Sequence, residues 1–216
     1  MATFLISKEL DDYAEKYTTP ELPVLAALNR ETNMKRGDAV MLSGHLQGAF
    51  LQMMSHMIRP KRVLEIGTFT GYSAICLAQG LKPGGLLHTI EIDEELQEIS
   101  SRYFKEAGLQ DKIMQHIGKA ADVIASMNES FDLVFIDADK SNYGLYYDLI
   151  FDKVPVGGYI LADNVLYGGE VVRPKGEQSK NGQAIYNFNK KIKADKRIEH
   201  ILAPIRDGLM VMRKVG

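Results

Sequence analysis

The sequence predicts an α/β chain built as a doubly wound, mostly parallel sheet with helices on both faces. Three observations carry this. From Arg62 onward, short apolar runs alternate with helical patterns; glycines and acids gather where the runs end; and the chain closes on two more strand-like runs around Asp207-Gly208. Strands separated by helices require right-handed parallel crossovers, which place helices on both sides of a sheet.

In chain order, residues from about 7 to 58 read as helices. Thr19-Pro20-Glu21-Leu22 has the look of a helix start, with a capping hydroxyl, a first-turn proline and an acid suited to the helix dipole. Gly48 to Met54 carries apolar groups at helical spacing in a segment that runs to Pro60. The strands are then read at Val63–Ile66, Leu86–Ile92, Ile113–Ile117, Phe131–Ile136 and Tyr159–Ala162. Helices are read at Tyr72–Gln79, Glu94–Ala107 and Lys140–Lys153. Arg197–Ile205 and Leu209–Lys214 read as an antiparallel hairpin joined by a tight Asp-Gly turn. The stretch from Gly168 to Gly182, rich in Gly, Lys and Glu, reads as a mobile loop past the fifth strand.

The whole chain sets bounds on these elements. Its 216 residues, 45% hydrophobic, suffice for one sizeable core, so residues 1–216 are read as one domain. A formal charge of −2 supplies no global basic footprint for a polyanion. No segment approaches the roughly 18 apolar residues of a membrane span, and the short apolar opening at residues 1–8 argues against secretion, so a cytoplasmic location is expected. The one cysteine, Cys76, precludes an internal disulfide and fits a reducing compartment, and it reads as inert on an apolar helix face. Five scattered histidines lack close metal-binding spacing.

Chemistry concentrates at strand ends, where ligands bind in doubly wound sheets. The first strand runs into Glu65-Ile66-Gly67-Thr68-Phe69-Thr70-Gly71-Tyr72-Ser73. Its Gly67-x-x-x-Gly71 spacing departs from the dinucleotide pattern, and Glu65 stands where a pyrophosphate would sit. A buried acid there repels phosphate and suits a cationic ligand, such as the amino acid part of S-adenosylmethionine (SAM); the bland alternative is an ordinary strand-to-helix turn. The second strand ends in Glu91-Ile92-Asp93, with Glu91 placed to accept bonds from two ribose hydroxyls and Asp93 read as an N-cap.

The fourth and fifth strands end in Asp137-Ala138-Asp139-Lys140 and Asp163-Asn164. Taken singly, Asp137 and Asp163 pass as helix caps. Together with Asn164 they form a set of hard oxygen donors on adjacent strand ends, suited to Mg²⁺, Mn²⁺ or Ca²⁺ rather than zinc. Lys140 reaches the same cleft and, beside a cation, has its pKa lowered, so that it serves as a base or holds a phenolate. Tyr143, Tyr146 and Tyr147 at helical spacing read as packing residues, as do the methionines. From Arg173 to Arg197 basic residues (Arg173, Lys175, Lys180, Lys190, Lys191, Lys193, Lys196 and Arg197) outnumber acids; this is either a solvated face or a contact for an anionic substrate tail.

These motifs resemble the metal-dependent class I O-methyltransferases, the group of caffeoyl-CoA and catechol O-methyltransferases. The resemblance spans Met41-Leu42-Ser43-Gly44 with Gly48, Leu64 to Thr68 with Thr70 to Ser73, Phe131-Asp132 to Lys140 with Asn142-Tyr143, Asp163 to Leu166, and Asp207-Gly208. It implies a Rossmann-like sheet of seven strands with an antiparallel last strand. It also implies a homodimer, with the helices of about residues 1–58 contributing to the substrate site and the dimer. By position, it assigns Asp137, Asp163 and Asn164 to the metal and Lys140 to the base. Around SAM it assigns Ser43, Glu65, Gly67, Thr68, Ser73, Glu91, Ala120 and Asp139, with Asp139 meeting the methionine amino group and Ala120 lying by adenine. Plant caffeoyl-CoA enzymes have an asparagine four residues after the metal pair, where this chain has Gly168, so their acyl-CoA substrate does not carry over. The expected reaction is metal-assisted methylation of a catechol-like small phenolic hydroxyl. The alternatives are methylation of 5-hydroxyuridine in tRNA, as in bacterial relatives, or a SAM- or nucleotide-binding regulatory module without chemistry.

Overall fold

A computed structural model describes residues 7–174 and 176–216. The apolar start of the chain (residues 1–6) and Lys175 of the basic run therefore lie outside the described residues. Three helices come first: α1 (Lys8–Lys16), α2 (Pro23–Lys35) and α3 (Gly44–Ile58). The alternating region follows as β1 (Arg62–Ile66), α4 (Tyr72–Ala78), β2 (Leu86–Glu91), α5 (Gln97–Glu106), β3 (Ile113–Ile117), α6 (Ala120–Ser126), β4 (Leu133–Ile136), α7 (Tyr143–Phe151) and β5 (Tyr159–Ala162). Then come α8 (Lys180–Ala194), β6 (Ile198–Ala203) and β7 (Leu209–Lys214).

The seven strands form one sheet in the order β3-β2-β1-β4-β5-β7-β6. Pairings among the first five strands are parallel, and β7 runs antiparallel to both β5 and β6. The strand order reverses between β1 and β4, and a crevice opens beyond the carboxyl ends of strands at such a point.

Alternation along each strand feeds two cores. Leu64, Ile66, Val134, Ile136 and Ile160 face Tyr143, Tyr147, Phe188 and Ile192 of α7 and α8. Val63, Leu87, Leu133, Phe135 and Leu161 face Leu28, Leu51, Ile75 and Phe104 of the other helical layer. Burial of both faces is why these strands read as apolar runs rather than as alternating ones.

Three expectations change in detail. The helix expected to open at Thr19-Pro20 instead begins at Pro23, with Leu22 extended at ψ 140°. Pro23 disfavours helical backbone at the residue before it, so the second proline sets the boundary. The Glu21 carboxylate is used elsewhere, accepting from the Tyr72 hydroxyl at 2.5 Å. The Asp207-Gly208 pair does not close a tight hairpin: a five-residue connection, Pro204–Gly208, lies between β6 and β7. Within it the Gly208 amide donates to the Ile205 carbonyl at 2.9 Å, closing a turn over Arg206-Asp207, and the carbonyls of Asp207 and Gly208 also accept from Leu166 and Val165. The stretch read as a loose loop is built at both ends, with short helical turns over Tyr167–Val172 and the Ser179 side chain capping α8. Glu170 bridges the two, its Oε2 accepting from the Ser179 amide at 2.8 Å and hydroxyl at 2.6 Å. Among the described residues, no helix is long and apolar enough to cross a membrane.

Candidate active site

One large cleft, about 1090 Å³, lies over the reversal point. The β1 loop enters it through Gly67, whose φ of +102° is left-handed. A Cβ on Gly67 would stand 1.9 Å from the carbonyl oxygen of Asp137, so β1 and β4 approach closely only because this residue is glycine. Gly71 (φ +95°) similarly leaves no room for a side chain against Phe104. Of the eight residues expected around SAM, Ser43, Gly67, Thr68, Ser73, Glu91, Ala120 and Asp139 line this cleft.

Glu65 does not. It lies fully buried beneath the loop, where Thr89 donates to its Oε2 and Oε1 has no partner. Burial pushes its carboxyl up to about 8, against the opposing pull of neighbouring hydroxyls. Thr68 meets the same Thr89 hydroxyl, so Glu65 acts on the loop through a short hydroxyl chain.

Glu91 is fixed by three backbone N–H groups: Phe69 on Oε2 at 2.8 Å, with Ile92 at 2.8 Å and Asp93 at 3.0 Å on Oε1. Asp93 caps the following turn, accepting from Glu95 at 3.0 Å. Asp139 is clamped by the Asn142 amide at 2.5 Å and by the Tyr146 hydroxyl.

Across the cleft, Asp137, Asp163 and Asn164 project from the ends of β4 and β5, together with Lys140. Asp163 is buried and held from both sides: the Asn164 amide donates to Oδ1 at 2.7 Å and Gln47 Nε2 to Oδ2 at 2.7 Å. Burial, and after it the nearby negative charge of Asp137, push its carboxyl above the usual carboxylate range. Asn164 adopts a left-handed φ of 56°, and Asp207 braces its loop by accepting from the Gly168 amide at 2.7 Å. Two facing carboxylates and an amide, all oxygen donors, strained by mutual repulsion and burial, fit a hard divalent cation. Among the described residues, no group of three or more His, Cys, Asp or Glu side chains is placed to hold a metal; this set has only two acids, so its third donor is the Asn164 amide.

Lys140 pairs with Asp137. Its Nζ donates to Asp137 Oδ1 at 2.9 Å and to the Tyr143 hydroxyl at 2.8 Å. Burial, the largest single influence, lowers its pKa, but the charges and hydrogen bonds of Asp137 and Tyr143 together outweigh burial and raise it. The lowering expected of Lys140 belongs to the site with a cation bound; without one, its charged neighbour is the Asp137 carboxylate. Lys140 belongs to a short turn, Lys140–Asn142, and α7 starts only at Tyr143.

Sequence reasoning passed over Gln47, Arg206, Tyr143 and Tyr146. The two tyrosines were read as packing, and both are buried, but their hydroxyls bond Lys140, the Asp163 carbonyl and Asp139. The signal available was only that a buried tyrosine hydroxyl needs a partner. Cys76 is buried and its thiol is pushed up by burial, as an inert core cysteine should be. No described residue of the basic run from Arg173 to Arg197 lines the cleft. Lys191 pairs with Asp148 at 2.5 Å and Arg197 with Asp195 at 2.6 Å.

The O-methyltransferase family model matches residues 15–215. The chain belongs to the O-methyltransferase family. It is 36% identical over 198 residues to caffeoyl-CoA O-methyltransferase 2 of Petunia hybrida, covering 87% of this chain and 82% of the relative. Among solved structures, the SAH-bound methyltransferase PaMTH1 of Podospora anserina matches with a TM-score of 0.89 at 28% identity, covering 98% and 97% of the two chains. The SAH-bound O-methyltransferase of Bacillus cereus matches with a TM-score of 0.84 at 30% identity, covering 95% and 97%. The doubly wound sheet with its antiparallel end is thus the fold of this enzyme family.

Proposed function

We propose that this O-methyltransferase moves a methyl group from SAM to a hydroxyl oxygen of a small, catechol-like vicinal diol, with a divalent cation held by Asp137, Asp163 and Asn164. The observation that carries this reading is the meeting, in one cleft, of the Gly67 loop, the braced acids Glu91 and Asp139, and the oxygen donors at the ends of β4 and β5.

On the donor side, Glu91 is oriented to take ribose hydroxyls and Asp139 to take the methionine ammonium, each carboxylate already aligned by its own hydrogen bonds. Ser43, Thr68 and Ser73 offer polar contacts, Gly67 lets the backbone come close, and Ala120, at the start of α6, presents a small side chain toward adenine. Glu65 supports this loop from below. A cation such as Mg²⁺, Mn²⁺ or Ca²⁺ would supply the positive charge that lowers the pKa of an acceptor hydroxyl and orients neighbouring oxygens. Lys140 is the residue that meets the reacting hydroxyl: in its uncharged form its Nζ takes the hydroxyl proton, and the ammonium so formed holds the phenolate.

The cleft favours a small acceptor over an anionic one. Of the four cations that line it, Arg36, Lys119, Lys140 and Arg206, three are engaged: Arg36 by Asp38 at 2.8 Å, Lys140 by Asp137, and Arg206 by carbonyls and Gln47. Apolar Val40, Met41 and Tyr167 share the wall with Gly168, which stands where plant caffeoyl-CoA enzymes carry asparagine. The test is a screen of vicinal diols, acyl-CoA esters and hydroxylated RNA for SAM-dependent product with and without Mg²⁺. Diol methylation that chelator abolishes, and that Asp163→Ala removes, is expected. Chelator-sensitive turnover unchanged by Asp163→Ala would refute the metal assignment, and product only from RNA would replace the acceptor.

A further inference from the structure

Gln47 lies on α3, 116 residues before Asp163, and is only 1% exposed. An enclosed amide needs partners at both ends, and here the ends are used differently. Nε2 donates to Asp163 Oδ2 at 2.7 Å, while Oε1 accepts from Arg206 Nη1 at 3.3 Å. A guanidinium only donates and a carboxylate only accepts, so a single orientation of the Gln47 amide satisfies both neighbours. Arg206, left-handed at φ 49°, stands on the β6–β7 connection. Its Nη1 also donates to the carbonyl of Leu42 at 3.1 Å and to that of Ser43, immediately before α3.

We propose that Gln47 and Arg206 form a positioning relay that sets the orientation of the Asp163 carboxylate for cation binding. This rests on the cation reading above. A carboxylate turns easily about its terminal torsion, whose wells are broad. The Asn164 amide restrains only Oδ1, so Gln47 supplies the second restraint, and Arg206 keeps the Gln47 amide facing the right way. Gln47 touches neither reacting atoms nor the cleft wall; it acts through Asp163. The consequence is that cation affinity depends on a loop near the end of the chain, whose Arg206 and Asp207 line the cleft, and on a helix near its start that stands behind the cleft wall.

The experiment is Mn²⁺ binding to the full-length protein, by calorimetry and by the electron paramagnetic resonance of free Mn²⁺. It compares wild type, Asp163→Ala, Gln47→Met, Arg206→Met, Arg206→Lys and the Gln47→Met/Arg206→Met pair. Loss of a hydrogen-bonded partner behind a metal ligand should weaken Mn²⁺ binding about 10- to 100-fold in Gln47→Met. SAH affinity of that variant should stay at the wild-type level. Arg206→Met should weaken Mn²⁺ in the same direction, Arg206→Lys should recover part of the loss, and the double variant should be no weaker than Gln47→Met alone, because both act through one contact.

Wild-type Mn²⁺ affinity in a folded Gln47→Met protein, or losses that simply add in the double variant, would overturn the relay. If Gln47→Met does not fold, Arg206→Met decides, since its site is on an exposed connection; unchanged Mn²⁺ affinity there overturns the relay equally. Binding that is lost in Asp163→Ala but intact in Gln47→Met leaves the cation reading standing and removes only the relay. If the wild type binds no Mn²⁺, both fall.

Discussion

Replacing Gly67 with alanine adds one methyl group at the point where the donor loop and the metal-side strand touch. The new Cβ would meet the Asp137 carbonyl oxygen at 1.9 Å and its carbonyl carbon at 2.7 Å, and both atoms belong to the backbone, so neither can rotate away. Real contacts of this kind do not fall below 3.0 Å, so β1 and β4 must separate at their tips by about 1 Å, in an interior packed too densely to absorb it freely. The left-handed φ of +102° adds backbone strain of about 1–3 kcal/mol, and overpacking adds a further ~1–3 kcal/mol. The expected destabilisation is therefore about 2–6 kcal/mol, measured from the shift in urea midpoint at constant slope. Because Asp137 carries the displaced carbonyl, the variant should lose SAH affinity and Mn²⁺ affinity together; a displacement of ~1 Å is enough to cost about 100-fold in a preorganised site. A Gly67→Ala protein with an unchanged urea midpoint and wild-type SAH binding would refute the claim that close approach at this glycine builds the cleft.

Three other outcomes follow from the site. Tyr146→Phe removes the hydroxyl that donates to Asp139 while leaving the Asn142 contact, so SAH affinity in calorimetry should fall about 3- to 10-fold, in line with ~1 kcal/mol for one hydrogen bond; unchanged affinity would remove Tyr146 from the donor site. Lys140→Met should lower turnover of the best diol by about 100-fold or more while SAH affinity holds, and a loss below tenfold would deny Lys140 a part in proton handling. Glu65, with a pKa raised by burial from 4.5 to about 8, favours the folded state when protonated, so its contribution is complete below pH 4.5 and is lost as pH rises toward 8. Within that window each pH unit removes up to about 1.4 kcal/mol, which Glu65→Gln would retain. Unfolding by urea from pH 5 to 8, in the presence of chelator, should show the two proteins diverging, and parallel profiles would contradict the raised pKa.

The sheet was legible because burying both faces of a parallel strand leaves an apolar run that ends abruptly in polar residues, and those ends mark the cleft. For that reason Asp137, Asp163, Asn164 and Glu91 stand out in the sequence, whereas the donor-side role of Asp139 comes from the family resemblance alone. Two local readings changed: Thr19-Pro20 carries good start signals that Pro23 overrides locally through its constraint on Leu22, and Asp207-Gly208 sits in a longer connection whose carbonyls are engaged from a distant segment by Leu166 and Val165.

What the sequence determined by itself is the periodic pattern, and with it the strands, the crossovers and the donors that each strand delivers to one edge. Those depend on interactions within a few residues or on burial averaged along a segment. Only the tertiary structure decided how the donors are held. Gln47 meets Asp163 across 116 positions and Arg206 meets Gln47 across 159, while Glu65, buried as expected, lies beneath the loop and outside the cleft lining. No periodicity encodes such pairs, because they are set by how distant segments pack. The sign of the shift at Lys140 has the same origin: it depends on which charge stands about 3 Å away, here Asp137.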